Sequence, residues 1–178
     1  MLVSKMDESV SAFEEAIHLF ENLSEDNYAK LSPHKAKVLV NYSSTLTSIG
    51  DFERSEQLLQ EAICILRKLN GNSIKEYDEE LANAYHNLGI LFLSRGDLRK
   101  SLDNLNIAEE LRRTLASANP LVYNFYLAAT LNYQATAISR MPDHNEEDIK
   151  KWQEAISLLK IYENCPTAEY LIKAGNYN

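Results

Sequence analysis

Residues 50–55 read GDFERS and residues 96–101 read GDLRKS, so the same short motif returns after 46 residues. The match continues in the same register after the motif. A repeat period of about 20–50 residues is typical of solenoids and other repeat arrays. The chain is therefore predicted to be built from duplicated units rather than around one irregular core. The matching positions are Leu59, Ala62, Ile65 and Leu69 with Leu105, Ala108, Leu111 and Leu115, and Tyr77, Leu81 and Ala82 with Tyr123, Leu127 and Ala128.

Each unit has the pattern of two helices joined by a short turn. Apolar residues recur at spacings of three or four between Leu81 and Phe92, and again between Leu98 and Leu115. That spacing places them on one face of a helix with 3.6 residues per turn. Helices are predicted at about 4–23, 33–48, 52–69, 78–94, 98–117, 121–140, 147–163 and 166–174, with ends uncertain by about two to four residues.

Local signals mark where these helices start and stop. Gly50 and Gly96 end the first helix of their pairs, because glycine readily adopts the left-handed C-cap conformation. Ser32 and Pro33 predict the start of the first pair, with Ser as N-cap and Pro at the first helical position. No segment calls for a strand.

Composition excludes several classes of protein. The 178 residues carry a formal charge of −8 and no basic run interleaved with aromatic residues, which argues against nucleic acid and anionic membrane as partners. No stretch approaches the roughly 18 apolar residues of a membrane span. Cys64 and Cys165 are far apart and have no metal-ligand spacing, so reduced thiols and a cytoplasmic location are expected.

Segment 85–108 resembles the tetratricopeptide repeat signature. Small residues stand at Gly89 and Ala108, where two helices of such a repeat, or of neighbouring repeats, cross closely. The first pair is similar, with Tyr42 and Ser43 replacing the usual Leu-Gly. A unit of 46 residues exceeds the usual length of about 34, so the long-repeat variety found in kinesin light chain is the most similar. The signature positions are Tyr85, Leu88, Gly89, Phe92, Gly96, Asp97, Leu98, Ser101, Leu105 and Ala108.

The resemblance implies an all-α, right-handed superhelical solenoid of about three antiparallel helix pairs with flanking N- and C-terminal helices. It predicts one domain over 1–178. The expected repeats span approximately 31–76, 77–120 and 121–163, with a partial N-terminal repeat at 4–23 and a C-terminal helix at 166–174.

In this family the first helices of the pairs line a concave groove that holds a peptide or helix of a partner. Asn41 and Asn87 occupy the same repeat position, where an amide could both donate to and accept from a ligand backbone. The alternative is that these amides hold neighbouring helices together. The resemblance places ten residues on the groove: Lys37, Asn41, Ser44, Asn83, His86, Asn87, Ile90, Asn132, Thr136 and Arg140.

We therefore predict a non-catalytic scaffold or adaptor that binds a protein or peptide, with no cofactor. The four histidines lack the spacing of a metal site. The alternative is a structural unit that stacks with other copies, because the N-terminal helix carries an apolar stripe with no helix before it, which predicts weak self-association. That stripe comprises Phe13, Ala16, Ile17, Phe20 and Leu23; packing roles are predicted for Tyr85, Phe92, Tyr123, Tyr126 and Trp152.

Overall fold

The structure, a computed structural model, describes residues 2–71, 76–142 and 146–162, without the side chains of 2–7, 25, 26, 28 and 29. These residues form α-helices and contain no strand, so the predicted all-α helical repeat is confirmed. Cys165, His144 and the predicted helix at 166–174 lie outside the described residues. The helices are α1 (Leu2–Glu21), α2 (Glu25–Ile49), α3 (Phe52–Asn70), α4 (Asp78–Arg95), α5 (Leu98–Ala118), α6 (Pro120–Ser139) and α7 (Glu147–Leu159), followed by a 3₁₀ turn, Lys160–Tyr162.

Contacts divide the chain into two compact units, Met1–Ala108 (unit 1) and Glu109–Asn178 (unit 2). Helix α5 contributes its N-terminal half to the first unit and its C-terminal half to the second.

In unit 1, the two predicted glycine caps have the same geometry. Gly50 and Gly96 adopt φ of 83° and 82°, in the left-handed region. The following amides, of Asp51 and Asp97, donate to the carbonyls of Leu46 and Phe92 at 2.9 Å, which closes a Schellman motif at each helix end. The side chains of the same two aspartates accept hydrogen bonds at the start of α3 and α5, from the amides of Arg54 and Lys100 at 3.3 and 3.2 Å.

The helices within each pair cross closely at the predicted small residues. A Cβ atom at Gly89 would lie 2.5 Å from Cγ of Leu105, which is fully buried. The buried Ser101 hydroxyl donates to the Gly89 carbonyl at 2.8 Å, and 46 residues earlier Ser55 donates to the Ser43 carbonyl at 2.8 Å. A hydroxyl that reaches the facing backbone keeps the two helix axes near each other in both pairs.

The predicted start of α2 at Ser32 and Pro33 is wrong. The helix begins at Glu25, after Ser24, and Pro33 lies inside it. Residues 25–32 contain neither Gly nor Pro, so nothing stops the helix from extending backwards through the proline, which then forfeits one backbone hydrogen bond. Packing supports the extension, because Ser32 and Ala36 on either side of Pro33 are buried.

Helix α1 packs on the first pair with an aromatic contact, a hydrogen bond and an ion pair. The rings of Phe13 and Tyr42 stack with centroids 5.1 Å apart. The Glu14 carboxylate accepts a hydrogen bond from Tyr42 Oη at 3.3 Å and pairs with the Arg54 guanidinium at 2.9 Å. Tyr42, which replaces the usual leucine of the signature, is fully buried. The predicted stripe on α1 is thus half-covered by α2 and α3, and Leu19 beside it remains 62% exposed.

Unit 2 has a small apolar core between α5, α6 and α7, formed by Ala116, Leu127, Ala128, Leu131 and Ala155. Pro120 begins α6 at the first helical position, one residue earlier than predicted. The Tyr162 hydroxyl donates to the Leu121 carbonyl at 2.8 Å, which ties the end of α7 to the start of α6.

Candidate functional site

The first helices of the two pairs in unit 1, α2 and α4, contact each other directly. Each presents a mainly polar row of side chains, spaced i, i+4, i+7 and i+11, that is exposed or half-buried; Ile90 is the apolar member of the row on α4. The two rows stand in the same repeat register, 46 residues apart. We call this surface the α2–α4 face; it consists of Lys37, Asn41, Ser44 and Ser48 on α2 and Asn83, Asn87, Ile90 and Ser94 on α4.

Seven of the predicted site residues belong to unit 1, and the structure brings six of them onto this face. His86 is the exception, because only 9% of its surface is exposed. Ser48 and Ser94 were not among the predicted residues. The repeat register would have identified them, because they also lie 46 residues apart. Both are exposed, and each hydroxyl donates to the carbonyl four residues earlier, at 2.9 and 3.0 Å.

The two repeat-equivalent amides differ in their surroundings. Nδ2 of Asn87 donates to the Ser44 hydroxyl at 2.9 Å and lies 3.5 Å from the Val40 carbonyl, so this amide bridges α4 to α2. Asn41 is exposed, and its side chain bonds to none of the described residues. Asn87 therefore has a structural bond, while Asn41 is open to solvent.

The three predicted residues of the third pair lie on α6 or at its end, in unit 2. Asn132 is exposed, and its Oδ1 accepts a hydrogen bond from Nε1 of Trp152 at 3.1 Å. The Thr136 hydroxyl donates to the Asn132 carbonyl at 2.9 Å, and Arg140 is the exposed residue that follows the helix. Trp152 thus fixes the orientation of one of the three side chains.

The aromatic residues predicted to pack differ in how deeply they are buried. Tyr85 and Phe92 are buried, whereas Tyr123 and Trp152 are half-buried. Tyr126 is 41% exposed, so the packing predicted for it is incomplete. Its ring lies beneath the Arg112 guanidinium, 5.7 Å from centroid to Cζ.

The most heavily bonded carboxylate of the described residues is Glu109 in unit 2. Partial burial alone would raise the pKa of its carboxyl, but hydrogen bonds from Lys151, Gln134 and Arg113 outweigh that effect and lower the pKa. The donor distances are 2.8 Å from Lys151 Nζ and 2.7 Å from Gln134 Nε2. A carboxylate held ionised by three donors links helices and is poorly suited to proton transfer near neutral pH.

Among residues 2–71, 76–142 and 146–162, no group of three or more His, Cys, Asp or Glu side chains could hold a metal ion. In the same part of the chain, no helix has the length and apolar character needed to cross a bilayer.

Paired helices with repeat-equivalent caps and crossings define a helical-repeat protein. A family model described as "Tetratricopeptide repeat" matches residues 36–74, which cover most of α2 and all of α3. The match over these two helices, together with the helical-repeat fold, supports a tetratricopeptide-repeat protein. Repeats of this family are typically non-catalytic modules for protein interaction or scaffolding.

A solved structure has a similar fold. It is the crystal structure of BtubC (BKLC) from P. vanneervenii, which aligns with a TM-score of 0.62 and 20% sequence identity. The alignment covers 98% of the present chain and 59% of that chain, so this protein spans somewhat more than half the length of BtubC. The comparison with curated proteins gives no significant match.

Proposed function

We propose that this protein is a non-catalytic scaffold or adaptor whose unit 1 binds a peptide or helix of a partner protein across the α2–α4 face. The observation that carries the proposal is the pair of polar rows in one register on two contacting helices. A ligand that crosses both rows meets the same kind of side chain twice, at positions 41 and 87. That arrangement suits the regularly spaced donors and acceptors of a polypeptide backbone.

The two amides have different roles in this proposal. Asn41 offers both its Nδ2 donors and its Oδ1 acceptor. Asn87 spends Nδ2 on Ser44 and Val40 and presents Oδ1, whose direction is fixed by those contacts. A side chain that is already ordered loses less entropy when the ligand binds. Asn41 is the main ligand contact, because all of its donors and its acceptor are available, and Asn87 is an oriented acceptor.

Neighbouring residues refine the expected ligand. Lys37 adds an exposed positive charge one turn before Asn41, which favours a ligand with an acidic side chain near that end. Ile90 is half-buried and provides the apolar contact of the face. Asn132, Thr136 and Arg140, in unit 2, remain predicted partner contacts, and Nδ2 of Asn132 is oriented by the bond from Trp152 to its Oδ1.

The test is selection of peptides that bind the intact protein from a displayed random library, followed by titration of one labelled peptide by fluorescence anisotropy. Asn41→Ala should weaken binding at least tenfold with an unchanged melting temperature. Gln57→Ala is the matched control, because Gln57 is an exposed amide on α3, outside the face. Equal affinity for the wild type and Asn41→Ala would contradict the proposed contact.

A second candidate function is self-assembly through exposed apolar side chains. Leu19 on α1 is 62% exposed, and Ile149 and Ile156 on one side of α7 are 47% and 60% exposed. Sedimentation equilibrium of the wild type and Ile156→Glu separates the two candidates. A dimer that Ile156→Glu dissolves would favour assembly, and a monomer at all concentrations would leave partner binding as the function.

A further inference from the structure

At four positions, the interface between α3 and α4 has buried apolar residues where the interface between α5 and α6 has polar ones. On α3 and α4, which pack together, Ile63, Leu66, Ala84 and Leu88 are at most 8% exposed. The residues 46 places later, on α5 and α6, are polar or charged. They are Glu109, Arg112, Thr130 and Gln134, which we call the polar layer.

Members of the polar layer bond to each other across the interface between α5 and α6. Gln134 Nε2 donates to Glu109 at 2.7 Å, and Arg112 Nη1 donates to the Thr130 hydroxyl and to the Tyr126 carbonyl. Thr130 and Gln134 are fully buried and Arg112 is 3% exposed. Both bonds between members of the polar layer therefore join a residue of α5 to a residue of α6.

Positions next to the layer on α3 and α5 stay apolar. The neighbouring equivalents Leu59 and Leu105 are both fully buried, as are Ala62 and Ala108. The backbone geometry of the repeat therefore accommodates an apolar residue at each of the four positions, as α3 and α4 show. Burying charged and polar groups where apolar ones fit carries a desolvation penalty, and such layers are best attested as devices that specify which partner is correct.

We infer that the polar layer is a matching code, which directs α6 to the C-terminal half of α5 and rejects α3 as its partner. If α6 packed on α3, Gln134 and Thr130 would face Ile63 and Leu66 and lose their bonds. If α4 packed on the end of α5, the Glu109 carboxylate and the Arg112 guanidinium would face Leu88 and Ala84. A buried polar group left without its partner is strongly unfavourable, so both wrong pairings are disfavoured.

A double-mutant cycle tests whether the residues are matched. Glu109→Ile and Gln134→Leu should each lower the melting midpoint by about 4 °C or more, because each removes the bond between the two residues and places an apolar side chain against a polar one. In the Glu109→Ile background, Gln134→Leu should instead raise the midpoint, since the pair then equals Ile63 and Leu88. If Gln134→Leu lowers the midpoint in both backgrounds, the two positions are not matched and the inference fails.

Transplanting the whole layer tests discrimination itself. The variant Glu109→Ile, Arg112→Leu, Thr130→Ala, Gln134→Leu gives α5 and α6 the residues of α3 and α4. It should melt at or above the wild-type midpoint, yet form a concentration-dependent exchanged dimer that the wild type does not form at the same concentration. A variant that melts well below the wild type would show the layer to be a stabiliser, and one that self-associates no more than the wild type would show that it does not discriminate; either result overturns the inference.

Discussion

Replacing Gly89 by alanine tests the close crossing of α4 and α5 with the smallest possible side chain. The added Cβ would lie 2.5 Å from Cγ and 2.8 Å from Cδ2 of Leu105, and 3.2 Å from the Ser101 carbonyl oxygen. Carbon atoms pack at about 3.5–4.0 Å, so the methyl group intrudes by about 1 Å. Leu105 is fully buried, so any shift of its side chain must displace other residues of the core.

The expected cost is the balance of two terms. Overpacking a dense interior costs about 1–3 kcal/mol, while alanine gains about 1 kcal/mol over glycine in a helix interior. We expect a net destabilisation of up to about 2 kcal/mol for Gly89→Ala, and a larger loss for Gly89→Leu. At about 2–4 °C per kcal/mol for a chain of this size, the midpoint should fall by several degrees in a thermal melt followed by circular dichroism.

A second substitution shows whether Leu105 is the cause. Leu105→Ala alone should cost about 2–5 kcal/mol by leaving a cavity. Combined with Gly89→Ala it should cost less than the sum of the single changes, because the new methyl group then occupies space that the leucine has vacated. A Gly89→Ala protein more stable than the wild type would mean that helix propensity dominates and that the crossing is not tight.

Three further predictions use the same thermal assay. Ala108→Leu should lower stability by about 1–3 kcal/mol, because position 108 is fully buried, and an unchanged midpoint would argue against close packing there. Asn70→Ala should cost about 1–3 kcal/mol, since Asn70 accepts from the Tyr77 amide at 3.0 Å and donates to Asp78 at 2.9 Å, while Gln60→Ala on the exposed surface of the same helix serves as the control. Because the pKa of Glu109 is lowered in the folded state, its stabilisation is complete above the ordinary value of 4.5 and is lost as the pH falls through the lowered one; Glu109→Gln should flatten the acid limb of the melting profile, and identical limbs would contradict the assignment.

The helix pairs and their turns were predictable because each signal has one physical solution. A glycine after an apolar stripe, followed by Asp, fits a left-handed cap and the start of the next helix, and both Gly50 and Gly96 adopt that geometry. Gly89 was predicted as a crossing point because it stands at the small-residue position of the tetratricopeptide signature. The start of α2 was not predictable, because Ser32-Pro33 fits both a helix start and a helix interior, and packing decides between them.

The phase of the apolar stripe was predicted only in part. On α3, the repeat matched Ile65 and Leu69, yet the buried residues are Ile63 and Leu66, and the predicted pair is half-buried. A helix with apolar residues at several adjacent positions offers more than one stripe, and periodicity alone does not choose between them.

The candidate site was predicted as a face but not in its detail. A spacing of 46 residues placed Asn41 and Asn87 on equivalent sides of two helices. It did not reveal that Asn87 donates to Ser44 on the preceding first helix, since that bond depends on how α2 and α4 pack.

Binding across the α2–α4 face is the central claim, and the affinity of one selected peptide for the wild type, Asn41→Ala and Gln57→Ala tests it most directly. All three proteins should first give the same melting midpoint. The account predicts at least tenfold weaker binding for Asn41→Ala and wild-type binding for Gln57→Ala. Unchanged affinity for Asn41→Ala, or an equal loss for Gln57→Ala, would contradict it.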